Sequence, residues 1–99
     1  FGQIDFDFHL GIVGASHNTL MLHMFTSLKR VFEFKYKISQ IAKNFQEKHH
    51  ILHQQHQELY EAIKLRDPEL AGQKMEAHLQ FVEKEWIRDM QRYRAQQKL

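Results

Sequence analysis

Only one proline, Pro68, and four glycines punctuate this chain of 99 residues. Tight reversals lean on those two residue types, and a many-stranded sandwich needs a turn roughly every 8–12 residues. So few breaking points favour long helices. From Thr19 to Asn44 neither residue occurs. An apolar share of 42% is enough to build one hydrophobic core in a domain of this size.

Helical periodicity then divides the chain. In Ile4-Asp5-Phe6-Asp7-Phe8-His9-Leu10 apolar and polar residues alternate as in a strand, while Ile4, Phe8 and Ile12, with Val13 beside them, form a helical row. Period alone leaves the two readings close, and the helical surroundings favour helix. Gly14 to Asn18 interrupts the pattern, with Ser16 or Asn18 placed to cap the next helix. That second helix is expected from Thr19 to about Asn44, carrying Leu20, Phe25, Leu28, Phe32 and Tyr36. A third is expected from about Gln46 to Leu65, with Leu52, Leu59 and Ile63 on one face. Arg66-Asp67-Pro68 ends it: Asp67 suits an N-cap, Pro68 the first helical position and Glu69 the first turn. Ala71, Met75, Val82 and Trp86 mark a fourth buried stripe to near Met90, after which the polar tail Gln91 to Leu99 is expected to fray. The predicted fold is all-α, four helices packed as a bundle or as part of a larger one.

Several function classes recede on composition. With no cysteine, disulfides and thiolate metal sites are excluded, so any metal must be held by histidine and carboxylate. The formal charge is +2, with basic and acidic residues interspersed rather than gathered into the stripe that a nucleic-acid surface shows. No apolar run approaches the roughly 20 residues of a membrane span, and no signal-peptide pattern is visible. A cytoplasmic protein is expected, and a chain that opens on Phe1 is expected to be a portion of a longer one.

Eight histidines are the most conspicuous chemical feature. His9 follows Asp5 by one helical turn, so carboxylate and imidazole share a face. His56 joins the row Leu52, His56, Leu59, Ile63, and His78 falls between Met75 and Val82. One histidine on an apolar face is ordinarily a hydrogen-bonded structural residue. Three on different helices, one with an aspartate a turn away, point instead to a shared cation, because neutral unpaired burial costs a few kcal/mol per group. Imidazole and carboxylate together suit Zn²⁺ first, with Ni²⁺, Mn²⁺ or Fe²⁺ as alternatives. His49, His50 and His53 crowd one end of the third helix and read as a solvated polar face with adventitious metal affinity. His17 falls in the loop after the first helix. His23 lies on the second helix without an acidic partner one turn away.

Read together, these stretches resemble the C-terminal effector domain of GntR-family bacterial transcription regulators of the FadR type. Asp5-Phe6-Asp7-Phe8-His9 matches the family's D-x-x-F-H, and Ala15-Ser16-His17-Asn18 matches A-S-x-N. His56 is followed by Ala62-Ile63 and then Asp67, and Met75-Glu76-Ala77-His78-Leu79 matches M-x-x-H-L. Each motif is weak alone; their order is specific and spans nearly the whole chain. The resemblance implies an antiparallel helical bundle in which Asp5, His9, His56 and His78 ligate one ion, with a small carboxylate effector at or beside it. It also implies that the first segment is helical, that the protein is a homodimer, and that it acts on DNA only through an N-terminal winged-helix domain outside this stretch. The chain is thus expected to be the C-terminal portion of an effector-binding and oligomerisation domain, lacking that domain's first helices. Arginines on those helices often help hold the effector's carboxylate. Leu20-Met21-Leu22-His23 and His78-Leu79-Gln80-Phe81-Val82 look most like the lactate, pyruvate and glycolate regulators.

Two other readings compete with a non-enzymatic sensor. A small metallohydrolase would use Glu58 or Glu61 as general base, yet neither shares the His56 stripe and no H-E-x-x-H motif occurs. A plain helical interaction module would keep its histidines for structure alone.

Overall fold

The computed structural model describes residues 2–97, and their regular structure is entirely helical. Five helices follow in order: α1 Gly2–Ala15, α2 Thr19–Thr26, α3 Lys29–Ser39, α4 Phe45–Lys64 and α5 Pro68–Gln97. They form two compact units, Phe1–Gln40 and Ile41–Leu99. The all-α expectation holds, with five helices among the described residues instead of four. None of them is long and apolar enough to cross a membrane.

In the first unit α1 packs on α2 and α3. Among the described side chains of α1 Phe6 is the buried one, at 3% exposure. Its ring stacks on Phe25 at 5.3 Å and meets Phe32 edge-on at 5.4 Å, while Phe25 and Phe32 lie 5.6 Å apart. This corrects the expected inward row. Ile4 is 69% exposed, because a residue two positions from Phe6 lies roughly 200° around the helix from it. A face that buries three mutually contacting rings removes more apolar area, with added ring–ring attraction, than one built on an isoleucine. Leu20, at 72%, is likewise exposed.

The helix expected from Thr19 to Asn44 is broken after Thr26 and ends early at Ser39, without proline or glycine. Thr26 Oγ1 donates to the Leu22 carbonyl at 2.7 Å, and Ser27 Oγ to that of Met24 at 2.6 Å. Such hydroxyls offer the backbone an alternative to the helical ladder, and here α2 stops. The early end leaves residues 40–44 outside any helix, and Ser39 Oγ donates to the Tyr36 carbonyl at 3.0 Å just before them. Asn18, one of the two proposed caps, accepts from the Met21 N–H at 3.0 Å.

The second unit is an antiparallel hairpin of α4 and α5. A buried or half-buried row on α4, Lys48, Leu52, Gln55, Leu59 and Ala62, alternates steps of four and three residues, the spacing that keeps one seam facing a partner helix. The matching row on α5 is Ala71, Met75, His78, Val82, Glu85 and Asp89. Ile63, expected on the inner face, is 45% exposed; Ala62 takes that place at 1%. Polar contacts fix the register. Lys48 Nζ pairs with Asp89 Oδ2 at 2.8 Å, both residues almost wholly buried. Gln55 meets His78 two turns further along α4, and the exposed pair Glu58–Lys74 comes next at 3.4 Å. Asp89 also accepts from Arg92 at 3.1 Å.

The turn between them is as expected at its far end: Asp67 Oδ1 accepts from the Leu70 N–H at 3.0 Å, capping α5. Its near end carries a surprise. Arg66 N–H bonds the Ile63 carbonyl and Asp67 N–H that of Ala62, closing α4 with a pair of reverse-turn bonds around Arg66 at φ 58°. Glycine usually fills this left-handed position. The helix α5 also runs on past Met90 to Gln97, through residues expected to fray. The i,i+3 pair Asp89–Arg92 ties the start of that stretch to the preceding turn; Lys98 and Leu99 lie outside the described residues.

Substitutions at the buried pair and at the turn test these contacts. Lys48→Met strands a buried carboxylate and is expected to destabilise by about 3 kcal/mol, the lower end for a broken buried pair because Arg92 remains. The double change Lys48→Met with Asp89→Leu is expected to recover most of that loss in denaturant unfolding; a double variant as unstable as the single one would refute the account. Arg66→Gly relieves the left-handed strain and is expected to stabilise by roughly 0.5–1 kcal/mol, net of glycine's greater freedom in the unfolded chain.

Candidate functional site

The four expected ligands fall into two pairs, one in each unit. On α1, Asp5 and His9 are one turn apart and therefore project from the same face. His9 Nε2 stands 3.4 Å from Asp5 Oδ1. The aromatic cluster orients the imidazole: Phe8 meets it edge-on at 5.4 Å, and Phe32 and Phe25 lie against it at 6.1 and 6.5 Å. Only 11% of the His9 side chain is exposed, against 40% for Asp5. Asp7 is exposed and accepts from Gln3 at 2.8 Å, which takes it out of the pair.

In the hairpin, His56 of α4 and His78 of α5 meet with ring centroids 4.7 Å apart and planes at 69°. His56 is half-buried and His78 is 2% exposed. The Nδ1 atom of His78 lies 2.7 Å from the Gln55 Oε1 atom. A carbonyl oxygen only accepts, so this contact is a hydrogen bond when Nδ1 carries the hydrogen, the tautomer that leaves the lone pair of a neutral ring on Nε2.

Both pairs suit a shared cation. Ligand atoms at about 2.0–2.2 Å from one ion stand roughly 3.0–3.5 Å from each other, and imidazoles bound to it have ring centres about 5 Å apart. Asp5 with His9 meets the first measure and His56 with His78 the second. Histidine nitrogen and carboxylate oxygen without sulfur are a donor set for Zn²⁺ and its neighbours in the first transition row.

The remaining histidines are placed differently. His50 and His53 are exposed, as expected, and so are His17 and His23. His49 is half-buried, its ring 4.2 Å from that of Phe45, so it does not belong to a solvated face. The carboxylates of the metallohydrolase reading are also on the outside: Glu58 pairs with Lys74, and Glu61 accepts from Gln57 at 3.0 Å. Sequence reading missed Gln55, Lys48 and Asp89. The usable signal was the four-and-three spacing from Lys48 to Ala62, which puts a lysine and a glutamine on an apolar seam where each needs a partner.

Five helices carry imidazole and carboxylate pairs beside small apolar cores, an all-α domain. The FCD domain family model matches residues 1–81, a span that includes all four of these residues. The chain belongs to the FCD domain family, the ligand-sensing C-terminal domain of FadR-type GntR regulators. This is a regulatory family whose members bind small-molecule effectors and typically act on DNA; it is not a family of enzymes. Comparison with curated proteins and with solved structures returned no match.

The burial difference between the two hairpin histidines is measurable without metal. In chelator, His78→Ala is expected to cost about 2–4 kcal/mol of stability, because it opens a cavity and leaves the Gln55 amide unpaired. His56→Ala is expected to cost less than about 1 kcal/mol. Equal losses in thermal unfolding would contradict the assigned environments.

Proposed function

We propose that this domain binds one divalent metal ion, zinc in preference to nickel, manganese or iron, through Asp5, His9, His56 and His78. With that ion it senses a small carboxylate of the lactate, pyruvate or glycolate kind. In the full-length cytoplasmic regulator, as a homodimer, effector binding modulates the hold of an N-terminal winged-helix domain on DNA. The observation that carries this reading is the donor chemistry within each unit: an imidazole–carboxylate pair at 3.4 Å and an imidazole–imidazole pair at 4.7 Å, all four residues inside the FCD match.

A bound ion would supply positive charge and open positions for a carboxylate. The protein's own part is to prepare the ligands. The aromatic rings hold His9 beside Asp5, and Gln55 holds the His78 ring through Nδ1. Because the four residues belong to three helices, effector binding that changes their arrangement would favour one disposition of those helices over another. Such a bias is what a sensor passes on to a DNA-binding domain.

One observation favours a rival. His78 is buried and hydrogen-bonded as it stands, which is also what a purely structural histidine would show. Metal analysis separates the two. One equivalent of zinc is expected to bind, and at a thousandfold excess over Kd to stabilise the fold by about 4 kcal/mol. Asp5→Ala and His56→Ala are each expected to weaken zinc by more than the roughly 10–100-fold that outer partners carry. Calorimetric titration of lactate, pyruvate and glycolate is expected to give binding to the zinc-loaded protein and none after chelation. Absence of stoichiometric metal would favour the structural module, and effector binding that ignores metal would leave a sensor without a metal centre.

A further inference from the structure

Gln55 occupies a seam position between Leu52 and Leu59 that an apolar side chain would fill with less penalty. Its carbonyl oxygen lies 2.7 Å from His78 Nδ1, across the helix pair. In a free neutral imidazole the hydrogen favours Nε2, which would remove the lone pair from that atom. An acceptor held against Nδ1 reverses the preference. The opposite amide orientation would present an N–H to Nδ1 and undo the effect, so the bond has a definite polarity to test.

We propose that Gln55 is a positioning residue for metal capture: it holds His78 in the Nδ1–H tautomer, aimed by a fixed ring orientation, so that Nε2 is ready as a ligand. This rests on the reading of His78 as a metal ligand. The physics is that of outer partners in metal sites generally, where a bond to the far nitrogen fixes the ring and raises ligand basicity. Gln55 sits on α4 and His78 on α5, so the bond also requires the hairpin register. His56 is the next residue on α4 after Gln55, so one turn of helix supplies both a ligand and the partner of another. The neutral amide does this without adding charge. The net charge of an occupied site therefore depends on its ligands alone.

The experiment uses the whole 99-residue chain and two readouts. Nitrogen-15 NMR of the metal-free protein, at a pH where the ring is neutral, reports the His78 tautomer; zinc titration reports affinity. Wild type is expected to show Nδ1–H, and Gln55→Met to shift His78 towards Nε2–H and weaken zinc by about 10–100-fold. Gln55→Glu, which keeps an acceptor, is expected to retain Nδ1–H and near-wild-type affinity. An Nε2–H tautomer in wild type overturns the proposal whatever the variants do, so it does not depend on Gln55→Met folding. Equal zinc affinity in wild type and Gln55→Met overturns it too and leaves the metal centre intact. If wild type binds no zinc, the metal centre itself fails and Gln55 is reduced to a structural partner of His78.

Discussion

The pairing of Lys48 with Asp89 governs the α4–α5 hairpin. Both charges are buried at 2.8 Å, and a slip of one helical turn, about 5.4 Å, would leave each without its counter-charge in an apolar seam. Desolvation of an unpaired ion costs several kcal/mol, far more than leucine–leucine contacts change when they exchange neighbours. Apolar contacts alone would tolerate several registers. The ion pair selects one, and that choice places Gln55 opposite His78 and His78 against His56.

The first unit solves a different problem with different means. A segment of 40 residues has little apolar area to bury, and three phenylalanine rings from three helices supply the centre of it. His9 lies against two of those rings, so the packing that stabilises the unit also limits the rotamers of a candidate ligand. Ligand preparation is thus a by-product of core formation here, whereas in the hairpin it depends on a dedicated polar bond.

Much of this was legible because it depends on neighbours in sequence. Asp5 and His9 share a face by helical geometry, Asp67 and Pro68 start a helix by local capping, and the stripe Ala71, Met75, Val82 and Trp86 marks that helix as far as Met90. The misread features are those decided by competition. Ile4 and Phe6 both offered a plausible inner face to α1, and only the presence of Phe25 and Phe32 across the unit chose Phe6. Thr26 and Ser27 are ordinary in a helix by propensity, and their hydroxyls bond the Leu22 and Met24 carbonyls where α2 stops. Lys48 was missed, since the carboxylate that draws it inside is 41 residues away.

The sequence by itself determined an all-α chain, the kinds of metal ligand open to it and the membership signalled by D-x-x-F-H, A-S-x-N and M-x-x-H-L, since these depend on composition and on spacing along one chain. Tertiary structure decided which seam residues face each other, and that Gln55 rather than a leucine meets His78 at Nδ1, the contact on which the tautomer turns. A tautomer is set by a hydrogen-bond partner, and a partner on another helix is fixed by register, which periodicity within either helix does not contain.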